Sequence, residues 1–170
     1  MNYFEFYEIP ISFRPDSGDL RRKFLLTSKK YHPDFYTLES DEKQAEVLEL
    51  STINNQAYKT LSNLDSCMGY VLRLKGVLKD GQTQSLPQTF LMEMMEVNED
   101  IMDLQFAFVQ DKYENLLQQL EYTEKELETA VEPMLNSNTV EDEHLEPVLE
   151  YYFKKRYLHR IRENMEKLKS

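Results

Sequence analysis

A single cysteine, Cys67, stands in the whole chain, so no intrachain disulfide and no multi-cysteine metal site can be assembled. Histidine is almost as scarce, and His32, His144 and His159 lie too far apart for metal-ligand spacing. Only 4 glycines and 6 prolines punctuate 170 residues, too few turn-makers for a many-stranded sheet. No window approaches the roughly 18 consecutive apolar residues of a membrane span. The opening stretch, with Glu5, Glu8 and Pro10, has neither the basic start nor the apolar run of a secretory signal. These absences predict an all-α protein of a reducing, cytoplasmic compartment, with no metal, no cofactor and no membrane partner.

Charge is distributed unevenly. The chain carries a formal net charge of −11, yet residues 1–90 hold 11 basic against 12 acidic side chains, and residues 91–170 hold 9 against 19. Nucleic acid is excluded as a general partner, because affinity for phosphate needs positive surface that the second half lacks. A chain of this length accommodates one large domain or two small ones, and the charge division favours two.

The first 75 residues read as four helices. Tyr3–Glu8 is a short aromatic turn closed by Ile9-Pro10. Asp16 is the expected N-cap of a second segment, where Leu20, Phe24, Thr27 and Tyr31 recur at four- and three-residue steps. Its other face is basic, with Arg21, Arg22, Lys23, Lys29 and Lys30. A third segment, Asp41–Leu61, aligns Val47, Leu50, Ala57 and Leu61 with Asn54 inside the stripe. A fourth, Ser66–Lys75, stops at Gly76.

Between the second and third helices lies the most informative tripeptide, His32-Pro33-Asp34. Pro33 disfavours a helical His32 and cannot continue the hydrogen-bond ladder. The helix should end near Tyr31 and leave the tripeptide on the loop of an antiparallel helical hairpin. No nucleophile–base pair or metal constellation surrounds it in sequence, so the pattern reads as a docking device and not as an enzyme's active site. Its duller explanation is a plain turn, since Pro and Asp are turn residues.

Residues 76–88 form the linker candidate, with two glycines, a proline and no periodicity. Three long helices are expected after it, over Thr89–Leu104, Phe108–Leu135 and Glu141–Lys169, with Pro147 placing the start of the last as late as Leu145. Together, residues 89–170 predict an up-down three-helix bundle. Phe90, Met94, Val97, Ile101 and Leu104 recur at spacings of 4, 3, 4 and 3, which suffices for a bundle seam. Leu91, Met92 and Met95 widen the apolar surface beyond that seam. This flank is either a partner surface, for which methionine is well adapted, or a surface packed on the first unit.

These residues resemble a known family. Residues 1–75 look like a J-domain, and nearly the whole chain is similar to the HscB type of J-protein co-chaperone of Fe–S cluster assembly. The resemblance is carried by Asn2-Tyr3-Phe4-Glu5, by Lys30-Tyr31-His32-Pro33-Asp34, by Asn55-Gln56-Ala57-Tyr58 and by Phe90-Leu91-Met92-Glu93. It implies that His32, Pro33 and Asp34, with Arg21, Arg22, Lys23, Lys29 and Lys30, bind an ATP-dependent chaperone of the DnaK/HscA class and stimulate its ATPase. It also implies that Leu91, Met92, Met95, Glu96, Glu99 and Tyr157 bind an IscU-like cluster scaffold protein. Asn54 departs from the family pattern at a usually aliphatic position, and Asn98 departs where a basic residue is usual. Two competing readings are a general J-domain co-chaperone with another client, and a helical scaffolding protein outside the chaperone system.

Overall fold

Seven α-helices and no strand are found among residues 1–82 and 85–169, the residues described by the computed structural model. In chain order they are α1 (Tyr3–Phe6), α2 (Ser17–Lys30), α3 (Asp41–Leu61), α4 (Leu64–Leu74), α5 (Gln88–Phe106), α6 (Gln110–Leu135) and α7 (Asp142–Glu166). Short 3-10 turns follow α2 at Pro33–Tyr36 and α7 at Lys167–Lys169. The all-α architecture is the expected one. Of the expected linker 76–88, Thr83 and Gln84 lie outside the described residues, as does Ser170 at the end of the expected bundle.

Local chemistry explains most helix starts. Asn2 accepts from the Glu5 amide while the Glu5 carboxylate accepts from the Asn2 amide, a reciprocal capping box. Asp16, Ser40 and Asn63 accept from the amides of Asp19, Lys43 and Ser66 at 2.7, 3.2 and 3.1 Å, each satisfying an otherwise orphaned donor. The Asn63 cap starts α4 at Leu64, two residues before the expected Ser66. Conversely α1 stops at Phe6, short of the expected Glu8, because Glu8 takes up a left-handed φ of 54°.

Pro147 does not delay α7 to Leu145; that helix begins at Asp142 and the proline sits inside it. The ring there removes one hydrogen bond near the start of a long helix, while its neighbours Leu145, Val148 and Leu149 are buried. Burial of side chains of that size contributes about 1.5–3 kcal/mol each, more than enough to offset the missing bond.

The chain divides into two compact units: Met1–Gly76 with Leu135–Asp142, and Val77–Met134 with the chain from Glu143 onward. The segment between α6 and α7 thus groups with the first unit, where Arg14 donates to the Asn136 side chain at 2.6 Å. No periodicity in that segment announces this.

In the first unit α2 and α3 form an antiparallel hairpin. Phe24 stacks on Tyr58 with ring centroids 4.2 Å apart, and Ser28 meets Asn54 at 2.9 Å, so positions rising along α2 meet positions falling along α3. Beneath the hairpin, Phe4, Phe13, Leu20, Val47, Ala57, Met68 and Leu72 are buried. Asn54, polar within this core, is fully used. The Tyr7 hydroxyl donates to its side-chain oxygen at 2.7 Å and to its carbonyl at 2.9 Å, and its amide donates to Ser28 and to the Phe24 carbonyl. A buried polar group satisfied on both ends costs little, whereas one left unpaired costs about 1–3 kcal/mol. Desolvation pushes the Tyr7 hydroxyl well above its usual pKa, which keeps it a donor to Asn54.

In the second unit Phe90, Met94, Val97, Ile101 and Leu104 of α5 meet Tyr113, Leu116 and Leu120 of α6 and Leu158, Ile161 and Met165 of α7. The 4-3-4-3 stripe is therefore the bundle seam. Arg162 of α7 clamps Glu124 of α6 through two bonds of 2.6 and 2.8 Å, a paired geometry that holds the guanidinium charged beyond its ordinary range.

Candidate functional site

Two surfaces carry the residues singled out by sequence, one in each unit. In the first unit, α2 ends at Lys30 and His32 becomes the N-cap of the 3-10 turn Pro33–Tyr36. Its backbone is extended, with φ −71° and ψ 121°, as a residue before proline requires. The His32 Nδ1 accepts from the Asp34 amide at 3.3 Å, and its carbonyl accepts from the Phe35 amide at 3.0 Å. Using the Nδ1 lone pair in this way leaves Nε2 to carry the ring proton of the neutral form. The Asp34 carboxylate lies 3.8 Å from Nδ1, and the His32 and Asp34 side chains are 53% and 84% exposed. The turn is anchored from behind: Tyr36 donates to the Lys30 carbonyl at 2.7 Å, and the Gln44 amide donates to the carbonyls of Thr37 and Glu39. An anchored turn with an exposed carboxylate and imidazole can offer one acceptor and one donor to a partner. Beside it, the exposed Phe35 ring lies 5.6 Å from the His32 ring.

Along α2 the expected basic face has a composition that a charge count misses. Arg21, Leu25 and Lys29 form one row at four-residue spacing, and Arg22, Leu26 and Lys30 form the next; all six are exposed. Each row is thus cation, leucine, cation. Leu25 and Leu26 are 52% and 58% exposed. Arg22 pairs with Asp19 and the Lys30 ammonium sits 5.0 Å from the Tyr31 ring, while Arg21 and Lys29 enter no ion pair among the described residues. The two leucines were legible as helical neighbours of the cations, but their polar surroundings in sequence gave no reason to single them out.

Lys23 is placed differently from the other cations of α2. Expected on the docking face, it is half-buried, and its ammonium donates to the carbonyls of Tyr7 at 2.7 Å and Glu8 at 3.3 Å. Two of its three N–H donors are used on these carbonyls, just past the end of α1.

In the second unit α5 presents two opposed faces. With 100° between successive residues, the five seam residues fall on one side. Leu91, Met92, Met95 and Glu99 fall on the other, with Glu96 along its margin. Met92 and Met95 are 59% and 61% exposed, Leu91 is half-buried, and Glu96 and Glu99 are exposed. Tyr157, from α7, is half-buried against the bundle core, edge-on to Phe90 with centroids 5.7 Å apart. That contact brings it beside the helical turn bearing Leu91. Its neighbour Arg160 lies over the ring at 5.5 Å, and Lys154 lies over Phe90 at the same distance while pairing with Glu150.

Cys67 is buried, and burial pushes its thiol up to about 12. That makes it a packing residue with no thiolate to offer. Among the described residues no group of three or more His, Cys, Asp or Glu could hold a metal ion, and no helix is long and apolar enough to cross a membrane.

A hairpin of helices presenting His-Pro-Asp at its tip, followed by a three-helix bundle, defines a J-domain protein with an appended bundle. A family model described as the HSCB C-terminal oligomerisation domain matches residues 86–166. The chain is 33% identical over 147 residues to the co-chaperone protein HscB homolog of Psychromonas ingrahamii, covering 83% of each protein. It is 32% identical over 108 residues to the co-chaperone protein HscB of Proteus mirabilis, covering 63% of this chain and 62% of that one. The crystal structure of human co-chaperone protein HscB is similar with a TM-score of 0.78 at 26% identity, over 99% of this chain and 82% of that one. Chaperone HscB from Vibrio cholerae shares the fold, with a TM-score of 0.71 at 21% identity over 99% and 98% of the two chains. The chain belongs to the HscB family of co-chaperones.

Proposed function

We propose that this protein stimulates the ATPase of a DnaK/HscA-class chaperone through His32, Pro33 and Asp34, and presents to it an IscU-like Fe–S scaffold protein held on the bundle. The observation that carries this reading is the anchored, exposed His-Pro-Asp turn at the end of a cation-bearing helix, in a chain whose second unit is an HscB bundle. Arg21, Arg22, Lys29 and Lys30 would steer the hairpin toward an acidic chaperone surface. Asp34 would then accept charge-assisted bonds from an arginine there. In this reading the co-chaperone carries out no chemistry. It binds the hydrolysing state of its partner more tightly than the resting state, and only that difference can raise the rate. The bundle delivers its client by burying Leu91, Met92 and Met95, with Glu96 and Glu99 setting the charge of the partner and Tyr157 framing the site.

The test is steady-state ATP hydrolysis by the source organism's chaperone of this class, with the intact chain or its His32→Gln variant, with and without purified scaffold. We expect stimulation that falls at least about 10-fold in the variant and rises further with scaffold. Stimulation without dependence on His32 would sink the trigger assignment, and dependence on His32 without any scaffold effect would point the bundle at another client.

A further inference from the structure

The exposed apolar row of α5 does not end where the family's scaffold-binding residues end. Met102 is 66% exposed and Phe106 is 97% exposed. At 100° per residue, Leu91, Met95, Met102 and Phe106 fall within an arc of about 60°, and adding Met92 widens it to about 100°. The seam residues lie on the other side, so this row is a second stripe and not the edge of the core. An almost fully exposed phenylalanine at a helix end, continuing a row of exposed methionines, is an apolar patch of the kind that marks an interaction site. With the helical rise of 1.5 Å, Leu91 to Phe106 spans ~22 Å, a length that one ordinary protein footprint can cover.

Charge selects the occupant. Along α5 the charged residues are Glu93, Glu96, Glu99, Asp100 and Asp103, all acidic, and the helix has no Lys or Arg. Lys112 of α6 pairs with both Asp100 and Asp103, at 3.7 and 3.1 Å, and offsets one of their two charges. Glu96 and Glu99 are exposed beside the upper half of the row and enter no ion pair among the described residues. The face therefore suits an apolar protein surface whose Lys or Arg rim meets Glu96 and Glu99, with a purely apolar portion lying over Met102 and Phe106 where the acids are already paired.

We infer that the scaffold-binding face continues down α5 to Met102 and Phe106, and that one and the same scaffold protein covers the whole row. This rests on the function proposed above. Met102 and Phe106 would then be specificity-determining contacts, because they can be filled only by a scaffold with an apolar surface at that distance from its basic rim.

The experiment is calorimetric titration of the purified IscU-like scaffold into the full chain, into Met102→Ser/Phe106→Ser, and into Leu91→Ala/Met92→Ala, with the mass of each free protein measured by light scattering. Both residues of the first variant are exposed, so it should fold as the parent does, which circular dichroism checks. We expect its Kd for scaffold to rise about 10-fold or more, with stimulation of the chaperone in the absence of scaffold unchanged. An unchanged Kd, with binding lost in Leu91→Ala/Met92→Ala, would overturn the extension and leave the scaffold reading standing. No binding by the full chain would overturn both. A dimer of the full chain that Met102→Ser/Phe106→Ser abolishes, with scaffold affinity unaltered, would overturn the extension and assign the lower row to a second copy of this protein.

Discussion

Helices α2 and α5 both expose apolar side chains to solvent, but they frame them oppositely. On α2, Leu25 and Leu26 sit between cations in rows of Arg21-Leu25-Lys29 and Arg22-Leu26-Lys30. On α5, Leu91, Met92 and Met95 lie beside Glu96 and Glu99 on a helix without a single base. A partner complementary to one face would be repelled by the other, so under the proposed function the two surfaces would sort their partners by sign before any close contact forms. The apolar residues differ as well. Methionine adapts its shape to the surface that covers it, whereas leucine has few well-defined rotamers. Under the proposed function the α5 face would supply area and accommodation, and the α2 face, with its anchored turn, would supply orientation.

The comparison can be broken hardest at α5. Replacing Leu91 and Met92 together by alanine removes apolar area that binding would bury, at a cost of about 3 kcal/mol, or roughly 100-fold in Kd. Calorimetry with the scaffold protein checks this, and stimulation of the chaperone without scaffold should be untouched. Reversing charge on the other face, by Arg21→Glu with Lys29→Glu, should weaken chaperone association about 30-fold at low ionic strength. That penalty should shrink as salt rises, because exposed charges are screened within a Debye length of about 10 Å at 0.1 M. Surface plasmon resonance across a salt series reads both. Leu25→Ser with Leu26→Ser should cost about 10-fold in the same assay, and here the loss should persist in high salt, since apolar contacts are not screened. If that loss instead fades with salt, the leucines are only spacers between cations.

The smallest effect distinguishes the interiors of the two units. Burial raises the pKa of Cys67 from 9.0 to about 12 and raises that of Tyr7 as well. Both groups stay protonated in the folded first unit at a pH where they would ionise in the unfolded chain. Their contribution to stability is therefore complete below about pH 9 and is lost as pH climbs toward 12. Urea midpoints should be level from pH 7 to 8.5 and fall above pH 9.5, with a shallower fall in Cys67→Ala. An equally steep fall in that variant would remove Cys67 from the account.

Legibility in the sequence followed the range of the interactions. The seam of α5 and the end of α2 were both readable, because a 4-3-4-3 stripe and the stereochemistry of Pro33 act over a few neighbouring residues. The contacts of Lys23 were not readable because its acceptors, the Tyr7 and Glu8 carbonyls just past the end of α1, are 16 and 15 residues away. Leu25 and Leu26 went unmarked for the converse reason: whether a leucine on a helix is covered depends on what packs there. Pro147 was given too much weight because a local rule was applied where burial of its neighbours prevails.

Asn54 shows the boundary most clearly. In sequence it is only a polar residue in an apolar stripe, and a departure from its family. In the fold it joins Tyr7, 47 residues away at the C-cap of α1, to Ser28, 26 residues away on α2. The sequence by itself determined the number and order of the helices, the α5 seam and the loop that bears His32, Pro33 and Asp34, since periodicity, caps and proline geometry are properties of adjacent residues. Only the tertiary structure decided which polar groups are satisfied inside, which cations remain available outside, and how far the apolar row of α5 runs in the open. Burial and hydrogen bonding depend on residues that are distant along the chain and meet only when it folds.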